Sequence, residues 1–194
     1  MNNIKEIEFK LLEDIGKKRF EHSLRVAETA KKLAETYGID EKKAYLAGLI
    51  HDCAKYNEEA YISKYNIDFS IYPVSSIKDP VLHSFLGAEV AKKVYNIYDR
   101  DILKAIEYHT TGRPAMSELE KIIFTADAIE PARDFEGIED IRNLAFENLN
   151  EAILNLLDTN IIFLIGKKAL INPLSFEARN YLIEEKNGKI RHNS

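Results

Sequence analysis

Apolar positions recur at helical spacing through most of the chain. In "FEHSLRVAETAKKLAETYG" the residues Phe20, Leu24, Ala27, Ala30, Leu33, Ala34 and Tyr37 share one face, and Gly38 stands where a helix ends on a residue of positive φ. Asp40 is placed to cap the next helix, "EKKAYLAGLIHDCAK". Asp79 and Pro80 read as a cap followed by proline at the first helical position, opening "VLHSFLGAEVAKKVY". Asp101 can cap "ILKAIEYH", which stops before Gly112 and Pro114. Ser117 with Glu120 forms a capping box that starts "LEKIIFTADAIE", ended by Pro131. Two further helical patterns cover about 137–167 and 173–186, the second entered through Asn172 and Pro173. Every assigned element is helical, and no period-two alternation, internal repeat or interdomain linker interrupts them. The pattern predicts an all-α, single-domain helical bundle over residues 1–194: a motif-bearing core at about 17–135, C-terminal helices at about 137–186 and a polar tail at 187–194. The segment from Tyr56 to Lys78 is the longest stretch read as irregular. Ile141, Leu144, Leu149, Ile153 and Leu157 would serve equally as core or as the seam of a homodimer.

Composition narrows the classes. A chain of 194 residues with 45% hydrophobic content can bury one sizeable core. The net charge of -5 argues against a nucleic-acid partner, which calls for a basic surface, so any phosphate chemistry must rest on local positive charge. The single Cys53 rules out an intrachain disulfide framework and fits a reducing compartment. "MNNIKEIEFKLLEDIGKK" lacks the apolar core of a signal peptide, and "IIFLIG" is too short to span a bilayer. A cytoplasmic protein with no membrane partner is expected.

The histidines change the picture. Of five, His22, His51, His83 and His109 fall in or at the ends of separate predicted helices, and only His192 lies in the tail. A single histidine on an apolar face is more often a hydrogen-bonded core residue than a ligand. Four together, joined by Asp52 beside His51 and by Asp127 in "IIFTADAIE", point to a shared cation. Burying Asp127 unpaired among Phe124, Ala126 and Ile129 would cost several kcal/mol, on the order of the penalty for an uncompensated buried ion. A His4Asp2 set is too large for one tetrahedral ion and suits two ions of higher coordination number with one carboxylate bridging. No thiolate joins it, because Cys53 projects about 100° away from Asp52 on a helix. That favours iron, manganese or another borderline divalent ion over structural zinc. Two divalent ions with two aspartates leave a positive site suited to a polyanion, and hydrolysis of a phosphoester or phosphoanhydride is the matching chemistry.

The series "KKRFEHSLRVAETA", "LAGLIHDCAKY", "VLHSFLGAEVA", "EYHTTGRPAMSELEKIIFTADAIEPARDF" and "NPLSFEARNYL" resembles the HD superfamily of metal-dependent phosphohydrolases. More narrowly it looks like the YqeK branch, described as symmetrical bis(5'-nucleosyl)-tetraphosphatases, which split diadenosine tetraphosphate into two ADP. The resemblance covers roughly residues 17–183, and the family's glycine after "IEP" is Ala132 here. It implies an HD-type bundle in which His22, His51, Asp52 and Asp127 hold the tighter of one or two divalent ions, iron first among them. His83 and His109 would complete a second site with Asp52, or touch phosphate directly if one ion is bound. Attack by a metal-bound hydroxide then makes Asp52, Lys55, His83 and His109 the catalytic set.

Resemblance and chemistry together supply the substrate contacts. Lys55, four positions after His51, can reach a bound phosphate, and Arg113 in "TTGRP" and Arg133 after "IEP" can clamp phosphate oxygens. Arg19, one turn before His22, and Thr110 complete the expected contacts, alongside His83 and His109. Each has an ordinary alternative: Lys55 and Arg19 as solvated helix residues, Arg113 and Arg133 on helix C-terminal carbonyls, Thr110 and Thr111 finishing a helix. Tyr56, Tyr61, Tyr65, Tyr72 and Tyr108 can stack on a nucleobase or simply pack, and Cys53 reads as a small core residue. The expected ligand is a dinucleoside polyphosphate or an ADP-like nucleotide. Rival readings are a deoxynucleoside monophosphatase, a hydrolase of guanosine alarmones, and a non-catalytic nucleotide sensor.

Overall fold

The computed structural model describes residues 4–188, and among these it contains nine α-helices, one short 3-10 turn and no strand. His192 and the rest of the tail beyond residue 188 lie outside the described residues. The first helix, α1 (Ile4–Tyr37), begins well before the stretch assigned from sequence and is broken at Gly16, whose φ of 74° and ψ of 161° are not helical. Its first arm buries Ile7 and Leu11, one turn apart, and its second arm buries Val26, Ala30, Leu33 and Ala34. The chain leaves α1 through Gly38 at φ 67°, and the amide of Ile39 bonds back to the Ala34 carbonyl, as the sequence suggested.

The second helix, α2 (Glu41–Ile50), starts at Asp40, whose carboxylate accepts from the amides of Lys42 and Lys43. It ends at Ile50 rather than running on to Lys55. From there the amides of Cys53 and Lys55 bond three residues back, to Ile50 and Asp52, so the "HDCAK" segment is a chain of tight turns. The stretch read as irregular contains α3 (Glu58–Tyr65) and a 3-10 turn at Phe69–Ile71. Helix α4 (Leu82–Tyr95) begins two residues later than expected, with Asp79 accepting from the Val81 amide in a preliminary turn. Helix α5 (Arg100–Tyr108) is capped by Asp99 rather than Asp101. Helix α6 (Glu118–Ile129) has the reciprocal Ser117–Glu120 capping box. The pattern at 137–167 is two helices, α7 (Ile138–Glu147) and α8 (Leu149–Gly166), because Asn148 leaves the helical conformation and caps the second. Helix α9 (Pro173–Lys186) starts at Asn172 as read.

Helices α1, α2, α5 and α6 pack on one another as an inner bundle, α4 lies against α5, and α7, α8 and α9 follow on the α6 side. One continuous cluster of buried side chains runs from Ile7 to Leu182. Ile141, Leu149, Ile153 and Leu157 belong to it as core, and Leu144 packs against it partly buried. The apolar residues left exposed on α8 are Ile162, Phe163 and Ile165 instead. Helix α8 as a whole, with a mean hydropathy of 1.3 over 18 residues and 33% of that window buried, is long and apolar enough to cross a membrane by length and composition. The shorter run "IIFLIG" did not show this.

Candidate metal centre and active site

Five elements bring the histidines and aspartates to one point. His22 lies on the second arm of α1, His51 caps α2, and Asp52 follows in the first tight turn. His83 stands in the first turn of α4, His109 caps α5, and Asp127 is near the end of α6. Three of the four imidazoles are oriented the same way. The Nδ1 atoms of His51, His83 and His109 bond to the carbonyls of Gly48, Pro80 and Ile106, each three residues upstream, at 2.6, 2.7 and 2.7 Å. A carbonyl only accepts, so Nδ1 carries the proton and the Nε2 lone pair faces the cluster. His22 does the same through Glu130, with 3.1 Å between Nδ1 and Oε1.

The resulting Nε2 atoms divide Asp52 between them. Its Oδ2 lies 3.4 Å from His51 and 3.8 Å from His22, and Asp127 Oδ1 lies 3.1 and 3.8 Å from His22 and His51. On the other side, Asp52 Oδ1 lies 3.2 Å from His83 and 3.5 Å from His109, whose Nε2 atoms are 3.2 Å apart. Two lone pairs aimed at each other over that distance repel unless a cation or proton stands by. His22 Nε2, His51 Nε2 and Asp52 Oδ1 are buried without a hydrogen-bond partner, the situation that burial penalises most strongly. Donor separations of 3.1–3.8 Å are those of ligands sharing an ion at roughly 2.1 Å, so the residues fit a divalent metal. Groups competent to hold an ion include His22, His51 and Asp127, and His51, Asp52 and His109.

Electrostatics agree. Burial works to raise the carboxyl of Asp52, but His51, His109 and His83 hold it well below the usual range. Asp127 is likewise held down against burial, by His22, His51 and Arg133. Burial pushes His109 down to about 4, leaving a neutral ligand at neutral pH. For His51 burial acts downward, yet the two aspartates raise it overall: in the absence of a metal a proton is the available cation. Cys53 is buried, with its thiol directed at the Gly87 carbonyl and pushed up by burial, so it belongs to the core.

Around the cluster, Arg19 Nη1 donates to Asp52 Oδ2 at 2.8 Å, a closer engagement than its place one turn from His22 suggested. Lys55 Nζ is 3.3 Å from His83 Nε2 and 3.7 Å from Asp52 Oδ1; the tight turns, not a continued helix face, bring it there. Thr110 Oγ1 is 3.4 Å from His83 Nε2. Arg133 grips Asp127 through Nη2 at 2.5 Å and its carbonyl through Nε at 2.9 Å.

Arg113 departs from the expected phosphate clamp. Its Nε and Nη2 donate to the two oxygens of Glu120 at 2.6 and 2.7 Å, and its guanidinium lies over Tyr108. Glu120 is 1% exposed, so the pair fixes the turn after α5 to the start of α6. Replacing Arg113 by Ala should cost about 2 kcal/mol of stability in urea unfolding, because a buried carboxylate loses its counterion. Unchanged stability would return Arg113 to the list of phosphate ligands.

Sequence reasoning missed Glu130. Its carboxylate accepts from Arg25 Nε at 2.6 Å and from the Ala132 amide at 2.8 Å while orienting His22. The available signal was an acidic residue at a helix C-terminus, where the helix dipole disfavours it.

Comparison with known proteins places this geometry. The HD domain family matches residues 19–132. A symmetrical bis(5'-nucleosyl)-tetraphosphatase of Halalkalibacterium halodurans is 42% identical over 86% of this chain and 90% of its own length. One of Staphylococcus aureus is 38% identical over 92% and 94%. A crystal structure from Clostridium acetobutylicum, described as a predicted HD superfamily hydrolase involved in NAD metabolism, aligns with a TM-score of 0.85 and 43% identity over 95% of this chain and 99% of that one. With all six residues of the His–Asp cluster falling inside the matched segment, the chain belongs to the HD domain family, in the group of the symmetrical bis(5'-nucleosyl)-tetraphosphatases.

Proposed function

We propose that this protein hydrolyses diadenosine tetraphosphate symmetrically to two ADP at the His–Asp cluster. The observation that carries the reading is the division of Asp52, whose two oxygens face separate imidazole pairs, with Lys55 beside the His83 side and Arg133 beside Asp127. Curated relatives of matching length carry that activity. We read one or two divalent ions, iron first and manganese or another ion next, held by His22, His51, Asp52 and Asp127, with His83 and His109 completing the set. A divalent ion supplies positive charge against phosphate oxygens and lowers the pKa of water.

The chain's own residues do the rest. Lys55, Arg19 and Thr110 stand where a phosphate chain laid across the cluster would meet them, and Lys55 meets charge developing on the departing ADP. Arg133, partly exposed and raised by Asp127 above its ordinary value despite burial, keeps its charge for a second phosphate contact. His83 and His109 keep their Nε2 atoms toward the scissile region through fixed Nδ1 bonds. Hydrolysis forms one bond from a water oxygen to the second phosphorus from one nucleoside and breaks that phosphorus from the bridging oxygen, giving ADP twice. A cytoplasmic setting follows from the substrate. A homodimer, if formed, would use exposed Ile162 and Ile165 in place of the buried seam.

The test is ion-exchange analysis of products after manganese- or iron-loaded protein meets diadenosine tetraphosphate. ADP alone is expected. ATP with AMP would place attack at a terminal phosphorus, while no turnover would favour the monophosphatase, alarmone or sensor readings.

A further inference from the structure

Two cavities share the cluster as a wall. One, of about 470 Å³, is lined by His109, Asp127, Arg133, Phe124, Phe135 and Phe163. The other, of about 700 Å³, is lined by Lys55, Tyr56, Ile77, Lys78, Pro80 and His83. Both lie in the size range of small-molecule sites. A substrate with two nucleosides joined through a phosphate chain needs two such spaces on either side of the bond it loses.

Tyr56 marks the second. It is 72% exposed, and its φ of 69° is a conformation that aromatic side chains rarely adopt. Asn66 and Asn96 share positive φ, but each is an asparagine ending a helix, where that is ordinary, and Ala115 and Lys168 lie elsewhere in the chain. Tyr56 directly follows Lys55, and Arg19 holds it: Nη2 donates to the phenol oxygen at 2.8 Å and the guanidinium lies 5.2 Å from the ring centre. Since Nη1 of the same arginine binds Asp52, the ring is tied to the cluster it borders. Glu58, Glu59 and Asp79 also line this cavity, alongside Lys55 and Lys78.

We propose that the cavity beside Tyr56 is the subsite of the second nucleoside, with the Tyr56 ring as its stacking platform, an assignment that rests on the tetraphosphatase reading. The first nucleoside then takes the cavity of Phe135 and Phe163.

The experiment compares diadenosine tetraphosphate with adenosine 5'-tetraphosphate, which has a single nucleoside, on the intact manganese-loaded chain. Tyr56→Ala should raise KM for the dinucleotide about tenfold with little change in kcat, from the loss of one base–aromatic stack, and affect the mononucleotide far less. Tyr56→Phe should keep both KM values. Tyr56→Gly should match Ala in KM while its Tm does not fall, because glycine adopts the positive φ without strain. Equal losses on the two substrates overturn the subsite, as does a Phe variant as impaired as Ala, which would place the effect in the link through Arg19. A lower Tm for Tyr56→Gly would assign the ring to the fold instead. Turnover of neither substrate by the wild-type chain overturns the tetraphosphatase reading and the subsite with it, whereas cleavage of both with equal losses overturns the subsite alone.

Discussion

Asp52→Ala should lose bound metal and turnover together. Among the described residues Asp52 is the one whose two oxygens face both imidazole pairs, and it is 1% exposed, so no water-filled space stands ready to replace it. Removing it takes one negative charge from the cluster and leaves His22, His51, His83 and His109 pointing lone pairs at an apolar methyl. Loss of an ion that contributes several kcal/mol to the transition state corresponds to a fall in kcat/KM on the order of a thousandfold or more. Elemental analysis after dialysis, read beside the rate, is the measurement. The thermal response supplies a second readout: manganese should raise the wild-type Tm by roughly 5–10 °C, from mass action on the folded state, and should not raise that of the variant. Asp52→Asn keeps the shape and one acceptor, so partial metal retention is expected. An alanine variant holding a full complement of metal and working within about tenfold of wild type would remove Asp52 from the centre.

What was legible in the sequence followed from locality and cost. Caps at Asp40, Ser117 with Glu120, and Asn172 sit within three residues of the amides they satisfy, so spacing alone displays them. The six candidate ligands stood out because buried histidines and aspartates are expensive without partners, whatever the fold. The breaks were harder. Gly16 precedes the stretch read as helical, so neither the first arm of α1 nor the break at its non-helical φ and ψ was seen. Asn148 ends one helix and caps the next, so the periodicity on its two sides merges into one apparent helix. The Arg113–Glu120 pair went unseen because Glu120 had already been given a task as the capping-box residue. A carboxylate has two oxygens, and this one serves Ser117 and Arg113 at once. Glu130 meets Arg25 and His22 across 105 and 108 positions of sequence, distances over which periodicity carries no information.

The fold and the centre depend on each other most tightly at Gly48. A β-carbon there would lie 2.9 Å from Ala27 Cα, 3.1 Å from Ala27 N and 3.2 Å from the Val26 carbonyl oxygen, all backbone atoms of α1. Backbone cannot rotate aside as a side chain does, so Gly48→Ala has to push α2 away from α1. Overpacking of this kind costs about 3 kcal/mol, at the upper end of its usual range, and the improved helix propensity of alanine returns only about 1 kcal/mol. The displacement also reaches the site, because the Gly48 carbonyl holds His51 Nδ1 at 2.6 Å and Ala27 lies on the same arm of α1 as His22. Urea unfolding should therefore show a net loss of about 2 kcal/mol, with metal affinity weakened by about tenfold or more through the shifted His51. Gly87→Ala is the control: its β-carbon would meet Ile106 Cγ2 at 3.0 Å, the end of a side chain that can turn. A smaller stability loss is expected there. If the two alanine variants proved equally stable, close backbone approach at Gly48 would not be what sets the α1–α2 distance, and the placement of His51 against His22 would need another cause.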